Sequence, residues 1–327
     1  MRLRRSDPGR PGYARIRRGR GWSFVAPGGD PVRDPGELDR LRDLVIPPAW
    51  QQVWISPYPN GHIQAVGVDA AGRRQYLYHP QWRRRQDEAK FDHVLAVARR
   101  LPQLRDRVDR DLTGRGLSRS RVLATVTRLL DMGMFRIGSD QYATGDDPTF
   151  GVATLRPEHA RSRGGCVVFE FPAKGGLDQV RQIEDPQLCR VLVDLRRRRR
   201  RADRLFGYWD GRSWRDVRSD EVNGYLREVS GAEMTAKDFR TWHATVLAAT
   251  HLATTGPQRS VTARRRAVAA VMRDVAELLG NTPTVARTSY VDPRVVDLYH
   301  EGVVVPVEPG TPREGAERSV LDLLERA

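Results

Sequence analysis

The chain has 327 residues, of which 39% are hydrophobic and 30% are charged, so it can bury a core and is neither disordered nor fibrous. Its length suits about two domains of roughly 100 to 200 residues each. Lysine and arginine total 56 against 41 aspartates and glutamates, and the net charge of +15 predicts a polyanionic partner, most often nucleic acid.

The lack of long apolar runs and the small number of cysteines exclude several other classes of protein. No apolar run approaches the ~18 to 20 residues that a membrane-spanning helix needs, and the arginine-rich start lacks the apolar segment of a secretory signal. We therefore expect a cytoplasmic protein without a membrane partner. Cys166 and Cys189 are the only cysteines, which excludes a disulfide framework and a cysteine-rich zinc site.

The N-terminal part of the chain has the pattern of a small antiparallel β domain. Its first 20 residues, rich in arginine, proline and glycine, predict a flexible basic arm. A short helix is predicted over Pro35 to Asp43. Strands are predicted around Val53 and Ile55, at Ile63 to Val68 and at Gln75 to Tyr78.

A polar run from Arg83 to Glu88 predicts a hinge between two domains. We therefore expect a β-rich domain with the basic arm over residues 1–86 and a helical catalytic domain over residues 87–327. The fold class that follows is α+β, with a small antiparallel β domain and a larger, mainly helical domain that contains a short β-hairpin.

The second domain begins with apolar residues at helical spacing, from Val94 to Leu130. A strand is predicted from Cys166 to Phe171, which would put Lys174 at or near the tip of a hairpin. Helical patterns then resume. Gly231 and Gly280 are predicted to end helices, Thr235 with Asp238 to start one, and Pro283 and Pro293 to lie in first turns. The run of six arginines from Arg196 to Arg201 fits a solvated helix or a phosphate-binding stripe.

Four short strings occur in a particular order along the helical part. They are FRIG with Arg136, FPAKGG with Lys174, KDFRTW with Arg240, and LGNTPTVARTSY, which ends at Tyr290. Together they resemble the catalytic set of the type IB DNA topoisomerases, in particular the poxvirus and bacterial branch. The resemblance extends from about Arg33 to about Tyr299.

The chemistry of strand cleavage needs these residue types. A tyrosine hydroxyl such as that of Tyr290 can attack phosphorus and form a covalent phosphotyrosine. Guanidinium groups match two phosphate oxygens, so Arg136 and Arg240 suit stabilisation of the transition state. Lysine can act as a proton donor because its pKa is readily lowered, and only three lysines occur in the chain. The resemblance implies that Lys174 is the general acid.

One residue departs from the pattern of the poxvirus-type enzymes. Asn281 stands where they carry a histidine that bonds a phosphate oxygen. An asparagine amide can donate a similar bond but cannot carry a proton or a charge. This position is therefore not expected to be an obligatory acid or base.

The resemblance also implies contacts with DNA outside the catalytic set. In the β domain they fall on Arg73, Gln75, Tyr76 and Tyr78, because glutamine and arginine can read base edges while tyrosine packs against them. Tyr142 is a further candidate in the second domain. The alternative interpretation of the β-domain residues is a strand with two core tyrosines.

The resemblance implies a monomer that clamps double-stranded DNA on the nucleoid, nicks one strand through a 3′-phosphotyrosyl link, lets it swivel and reseals it. No metal or nucleotide cofactor is expected. A tyrosine recombinase or integrase is an alternative, although that family typically carries histidine three residues before its second arginine, where this chain has Lys237. A non-catalytic basic DNA-binding protein is the other alternative.

Overall fold

A computed structural model describes residues 1–133, 135–163, 166–173, 177–308 and 310–327. Lys174, the expected general acid, lies outside the described residues. The chain divides into two compact units, residues 1–91 and residues 92–327. The predicted boundary at residue 86 stays a prediction.

The first unit is built on an antiparallel sheet with strand order β2-β1-β3-β4-β5. Its elements in chain order are β1 (Tyr13–Arg18), β2 (Gly21–Val25), α1 (Pro35–Asp43), β3 (Gln51–Ile55), β4 (Ile63–Val68) and β5 (Arg74–Tyr78). Helix α1 starts where the Asp34 carboxylate accepts the backbone N–H of Glu37. Its Leu41 packs with Phe24 and Ile55 in a small core.

The N-terminal arm differs from its prediction. Residues 13–18 form β1, which pairs with β2 and β3, and Arg4 forms a bridge with Gly61. The expectation of a flexible basic arm is therefore wrong for residues 13–18. Strand formation satisfies the backbone polar groups of β1, while its arginines still reach water at one end.

The second unit is mainly helical. Its elements, beginning with a helix that starts in the first unit, are α2 (Pro80–Ala98), α3 (Leu101–Leu112), α4 (Arg119–Gly133), β6 (Ala160–Arg163), β7 (Cys166–Ala173), β8 (Leu177–Ile183), α5 (Pro186–Arg198), β9 (Gly207–Trp209), β10 (Trp214–Asp216), α6 (Ser219–Ser230), α7 (Ala236–Thr255), α8 (Val261–Leu279), α9 (Pro283–Ser289), α10 (Pro293–His300) and α11 (Arg313–Glu325). The α+β prediction is confirmed.

The polar segment predicted as a hinge is helical. Arg83 to Glu88 lie inside α2, so this segment is not an irregular linker. Charged residues are compatible with a helix that exposes them to water, and polarity alone did not separate the two possibilities.

Helix α7 runs through the core of the second unit. Its Phe239, Trp242 and Ala248 are almost fully buried. The predicted start at Thr235 is confirmed, since the Asp238 carboxylate accepts the backbone N–H of Thr235. Strands β6, β7 and β8 form an antiparallel sheet beside the helices.

The six-arginine run does not behave as a uniform stripe. Arg199, which follows α5, is buried, forms an ion pair with Asp216 and donates to the carbonyl of Arg204. Its neighbours Arg198 and Arg200 are exposed to water, so the run contains both a buried structural arginine and solvated arginines.

Within the described ranges, no helix is both long and apolar enough to span a bilayer.

Candidate active site

The C-terminal end of α8 holds the guanidinium groups of three arginines that lie far apart in the sequence. Arg181 donates to the carbonyl of Leu278 at 2.6 Å, and Arg240 donates to that of Leu279 at 2.7 Å. Arg136 donates to the carbonyl of Gly280 at 3.1 Å. A helix leaves its last carbonyls without partners in its own backbone and carries negative charge at this end. The end of α8 is therefore an acceptor for cations.

Gly280 makes this arrangement possible. Its φ of +60° and ψ of +51° are left-handed, which glycine adopts without steric cost. The helix stops there, and the following residue Asn281 turns towards Arg136. The glycine predicted at the end of this helix thus also fixes the position of the next candidate residue.

The loop that carries Arg136 is held by two closely packed glycines. Val152 N–H donates to the carbonyl of Arg136 at 2.8 Å. A Cβ on Gly151 would meet the backbone N of Gly138 at 2.3 Å and the carbonyl oxygen of Arg136 at 2.6 Å. Only glycine fits at position 151, so the backbone under Arg136 is tightly constrained.

Arg240 projects from the first turns of α7 and is buried, with 5% of its surface exposed. Burial lowers the pKa of its guanidinium to about 10, and the positive charge of Arg136 acts in the same direction. Arg240 therefore remains charged at neutral pH. A buried charge of this kind suits an anion that enters the site.

Tyr290 follows α9 and is half-buried beside Arg240, whose Cζ lies 5.4 Å from the centre of the tyrosine ring. Burial opposes ionisation of the phenol. The charges of Arg240 and Arg136, a hydrogen bond from Arg240 and the charge of Lys237 together outweigh burial and lower the pKa of Tyr290 below its ordinary value of 10.0. The surroundings thus favour the nucleophilic, ionised form of this hydroxyl.

Asn281 lies next to the same arginines. Its Oδ1 accepts a hydrogen bond from Arg136 at 2.7 Å. Its Nδ2 is buried and has no hydrogen-bond partner within the described part of the chain. A buried amide without a partner costs free energy, so this donor suits an acceptor that arrives with a ligand.

A cavity of about 290 Å³ opens in front of Tyr290. Arg136, Arg240, Lys237 and Tyr142 line it together with the tyrosine. Tyr142 is 54% exposed at this cavity. Cationic groups with an aromatic side chain at the opening suit a nucleic-acid backbone.

The structure thus brings together four of the five predicted catalytic residues, namely Arg136, Arg240, Asn281 and Tyr290. The fifth, Lys174, cannot be placed among the described residues. Their catalytic roles stay predictions.

The predicted DNA contacts of the first unit do not share one face. Tyr76 and Tyr78 stack on each other at 6.0 Å between ring centres, and Arg74 lies over Tyr76. Arg73 and Gln75 instead bond the carboxylate of Asp69. Because side chains alternate along a strand, Arg74 is the residue that joins the exposed tyrosine face.

Sequence reasoning missed two cations of the site. Arg181 on β8 is half-buried near Arg240 and, like Arg240, borders a small crevice beside the cavity. Lys237, which the sequence marks only by its spacing before Arg240, lines the cavity. The one signal for Lys237 was its position one turn before Arg240 on the same helix, whereas nothing local marked Arg181.

A buried ionic cluster joins α7, which carries Arg240, to α3, α4 and α11. Asp131 on α4 accepts hydrogen bonds from Arg105 and lies 3.2 Å from His243 of α7, and Arg313 of α11 reaches it at 2.6 Å. Burial would raise the pKa of Asp131, but His243, Arg105 and Arg313 hold it well below its usual range.

Within the described residues, no group of three or more His, Cys, Asp or Glu side chains could hold a metal ion.

A tyrosine among guanidinium groups in a basic, mainly helical unit is typical of enzymes that act on phosphodiesters. The chain belongs to the type IB DNA topoisomerases. Its residues 79–301, more than half of the chain, match the family model of the eukaryotic DNA topoisomerase I catalytic core, and residues 21–69 match that of the bacterial DNA topoisomerase IB N-terminal domain.

A relative with a similar sequence is the DNA topoisomerase 1B of Acanthamoeba polyphaga mimivirus. It is 28% identical over 274 residues, which cover 80% of each chain. The resemblance inferred from the four strings is therefore confirmed, as is the class of enzyme, and DNA is its substrate. The recombinase and non-catalytic alternatives find no support in these matches.

Proposed function

We propose that the protein relaxes supercoiled duplex DNA by transient cleavage of one strand at Tyr290. The phenolic oxygen forms a bond to phosphorus while the bond from phosphorus to O5′ breaks. The products are a 3′-phosphotyrosyl ester and a free 5′-hydroxyl end, which swivels and then attacks the ester to restore the strand. The observation that carries this proposal is the lowered pKa and the position of Tyr290 beside Arg240.

Arg136 and Arg240 stabilise the negative charge that grows on the non-bridging phosphate oxygens. Asn281 adds a neutral donor, because its Nδ2 is buried and without a partner in the described residues. The carbonyls of Leu279 and Gly280 hold Arg240 and Arg136 in advance, so little reorganisation is needed when the phosphate enters.

Proton transfer completes the reaction. The phenolic proton passes from Tyr290 to solvent water, and the departing O5′ takes up a proton from a general acid. We assign this acid to Lys174 on the sequence pattern, because the pKa of a lysine side chain is readily lowered whereas arginine is a poor acid.

The phosphotyrosyl ester keeps the energy of the phosphodiester bond. Resealing therefore needs no ATP, and the guanidinium groups supply the positive charge that a metal ion supplies elsewhere. The enzyme acts as a monomer on nucleoid DNA in the cytoplasm. In the first unit, Tyr76, Tyr78, Arg73 and Gln75 contact the duplex, and Tyr142 does so in the second.

Incubation with supercoiled plasmid in EDTA, without ATP, tests the proposal. We expect relaxed plasmid and, after detergent is added, a covalent protein–DNA adduct. Tyr290→Phe should abolish both while retaining DNA binding. The matched control is Tyr299→Phe, which removes a hydroxyl that donates to the carbonyl of Gly256 away from the cavity. A relaxing Tyr290→Phe enzyme would refute the assignment of the nucleophile.

A further inference from the structure

The backbone around Tyr290 is held by a side chain that no sequence motif marks. Thr245 lies on α7, five residues after Arg240, and is 1% exposed. Its Oγ1 donates to the carbonyl of Tyr290 at 3.2 Å and accepts the backbone N–H of Asp292 at 3.1 Å. A single hydroxyl therefore bridges the two peptide groups on either side of Val291.

This bridge closes the turn between α9 and α10. At one end, the backbone N–H of Tyr290 donates to the carbonyl of Ala286 at 3.0 Å. At the other end, Asp292 caps α10 by accepting the N–H of Arg294. The carbonyl of Tyr290 and the N–H of Asp292 face α7 between these two helix ends, and buried backbone groups need partners.

Helix α7 therefore contacts both the ring and the backbone of Tyr290. Arg240 acts on the ring of Tyr290, and Thr245 fixes the backbone from which that ring projects. Because both residues belong to one rigid helix, the distance between guanidinium and phenol does not depend on a flexible connection. A small displacement of a reacting group is enough to slow catalysis strongly.

We propose that Thr245 is a positioning residue for the nucleophile. Through its two hydrogen bonds it fixes the position of Tyr290 relative to Arg240. The inference rests on the proposed function, since it concerns the same tyrosine, and adds a residue that does not touch the DNA. Valine has the shape of threonine without the hydroxyl, and serine keeps the hydroxyl without the methyl group.

Single-turnover cleavage separates the possibilities. The substrate is a duplex oligonucleotide whose cleaved strand releases a short downstream segment, so that resealing does not occur. We expect Thr245→Val to form the covalent adduct about ten- to a hundredfold more slowly than wild type. Thr245→Ser should recover most of the rate, and non-covalent DNA binding should change little in both.

A second readout distinguishes positioning from stability. In Thr245→Val the tyrosine moves relative to Arg240, so the pH profile of cleavage should shift upwards. Thr125→Val is the control, because Thr125 is equally buried and, within the described residues, its hydroxyl bonds only the carbonyl of Arg121 in its own helix. It should lower the melting temperature without changing the cleavage rate or its pH profile.

The outcomes separate this inference from the proposed function. If wild type forms no adduct, the proposed function fails. If wild type forms the adduct and folded Thr245→Val matches its rate and pH profile, the inference alone is wrong. If the valine variant does not fold, Thr245→Ala, which removes both the hydroxyl and the γ-methyl group, provides the same comparison, and an unimpaired alanine variant would equally overturn the inference.

Discussion

The Oδ1 of Asn281 accepts a hydrogen bond from Arg136 at 2.7 Å, while the Nδ2 of the same amide is buried without a partner in the described residues. One side of the amide thus fixes a candidate catalytic arginine, and the other side remains available as a donor. An uncharged residue can perform both tasks. This explains how asparagine fits a position at which the poxvirus-type enzymes carry a histidine.

Substitutions of Asn281 should separate these two tasks. Asn281→Ala removes the acceptor and the donor, and we expect cleavage to slow roughly a hundredfold. Asn281→Asp keeps the acceptor but places a negative charge near the phosphate, so its loss should be larger. Asn281→His keeps a donor and should lose least. Single-turnover cleavage measures all three, and an Asn281→Ala rate equal to wild type would remove this residue from the site.

The ionisation of Tyr290 should depend on Arg240. Burial alone raises the pKa of the phenol, and the charge of Arg240 is the largest influence that lowers it below 10.0. In Arg240→Gln burial remains while this charge is lost, so the phenol should ionise at a higher pH. Tyrosinate absorbance, measured as the difference between a protein and its Tyr290→Phe counterpart, reports this ionisation.

Two comparisons check that pH prediction. Arg136→Gln should raise the midpoint of the titration by less than Arg240→Gln, because Arg136 is the weaker influence. Arg212→Gln, in an exposed turn, should leave it unchanged. An unchanged midpoint in Arg240→Gln would show that the guanidinium does not act on the phenol.

Local signals in the sequence were sufficient to predict where Tyr290 lies. Pro283 and Pro293 start α9 and α10, and Tyr290 falls between the two helices as expected. Gly280 ends α8 at its predicted position. Capping and proline rules work here because they depend on residues within one turn of each other.

Contacts between distant residues were beyond these rules. Arg181 and Leu278 are 97 positions apart, so no local pattern connects them. The hydroxyl of Thr245 likewise meets Tyr290 only after α7 has packed. In the first unit, Asp69 precedes β5 and bonds Arg73 and Gln75, a contact that the alternation of side chains along the strand does not predict.

The close approach of Gly138 and Gly151 should make the loop of Arg136 intolerant of any side chain. In Gly151→Ala the new Cβ would overlap backbone atoms, which cannot rotate away, so we expect a loss of about 1–3 kcal/mol in the free energy of unfolding. Cleavage should fall as well, since Arg136 is displaced. In Gly224→Ala on α6 the new Cβ would meet no atom within 4 Å, so this variant should instead raise the free energy of unfolding by about 0.5–1 kcal/mol. Urea denaturation gives both values, and a Gly151→Ala protein as stable as wild type would contradict the packing.

Arg181 should contribute to cleavage although no motif contains it. Its Nη2 bonds both the carbonyl of Leu278 and the side chain of Gln179, and so links β8 to the end of α8. Arg181→Gln leaves that carbonyl without its donor and loosens the helix end on which Arg240 and Arg136 depend. We expect cleavage to slow about tenfold, the equivalent of about 1.4 kcal/mol.

Two further variants identify what Arg181 supplies. Arg181→Lys keeps a charged donor but not the planar fork, and should recover part of the rate. Arg273→Gln removes an exposed charge from the same helix α8 and should cleave like wild type. DNA affinity is measured in the Tyr290→Phe background, in which cleavage does not occur. If Arg181 supports cleavage and not DNA binding, Arg181→Gln should change this affinity no more than Arg273→Gln does. A wild-type cleavage rate in Arg181→Gln would show that Arg240 and Arg136 hold their positions without it.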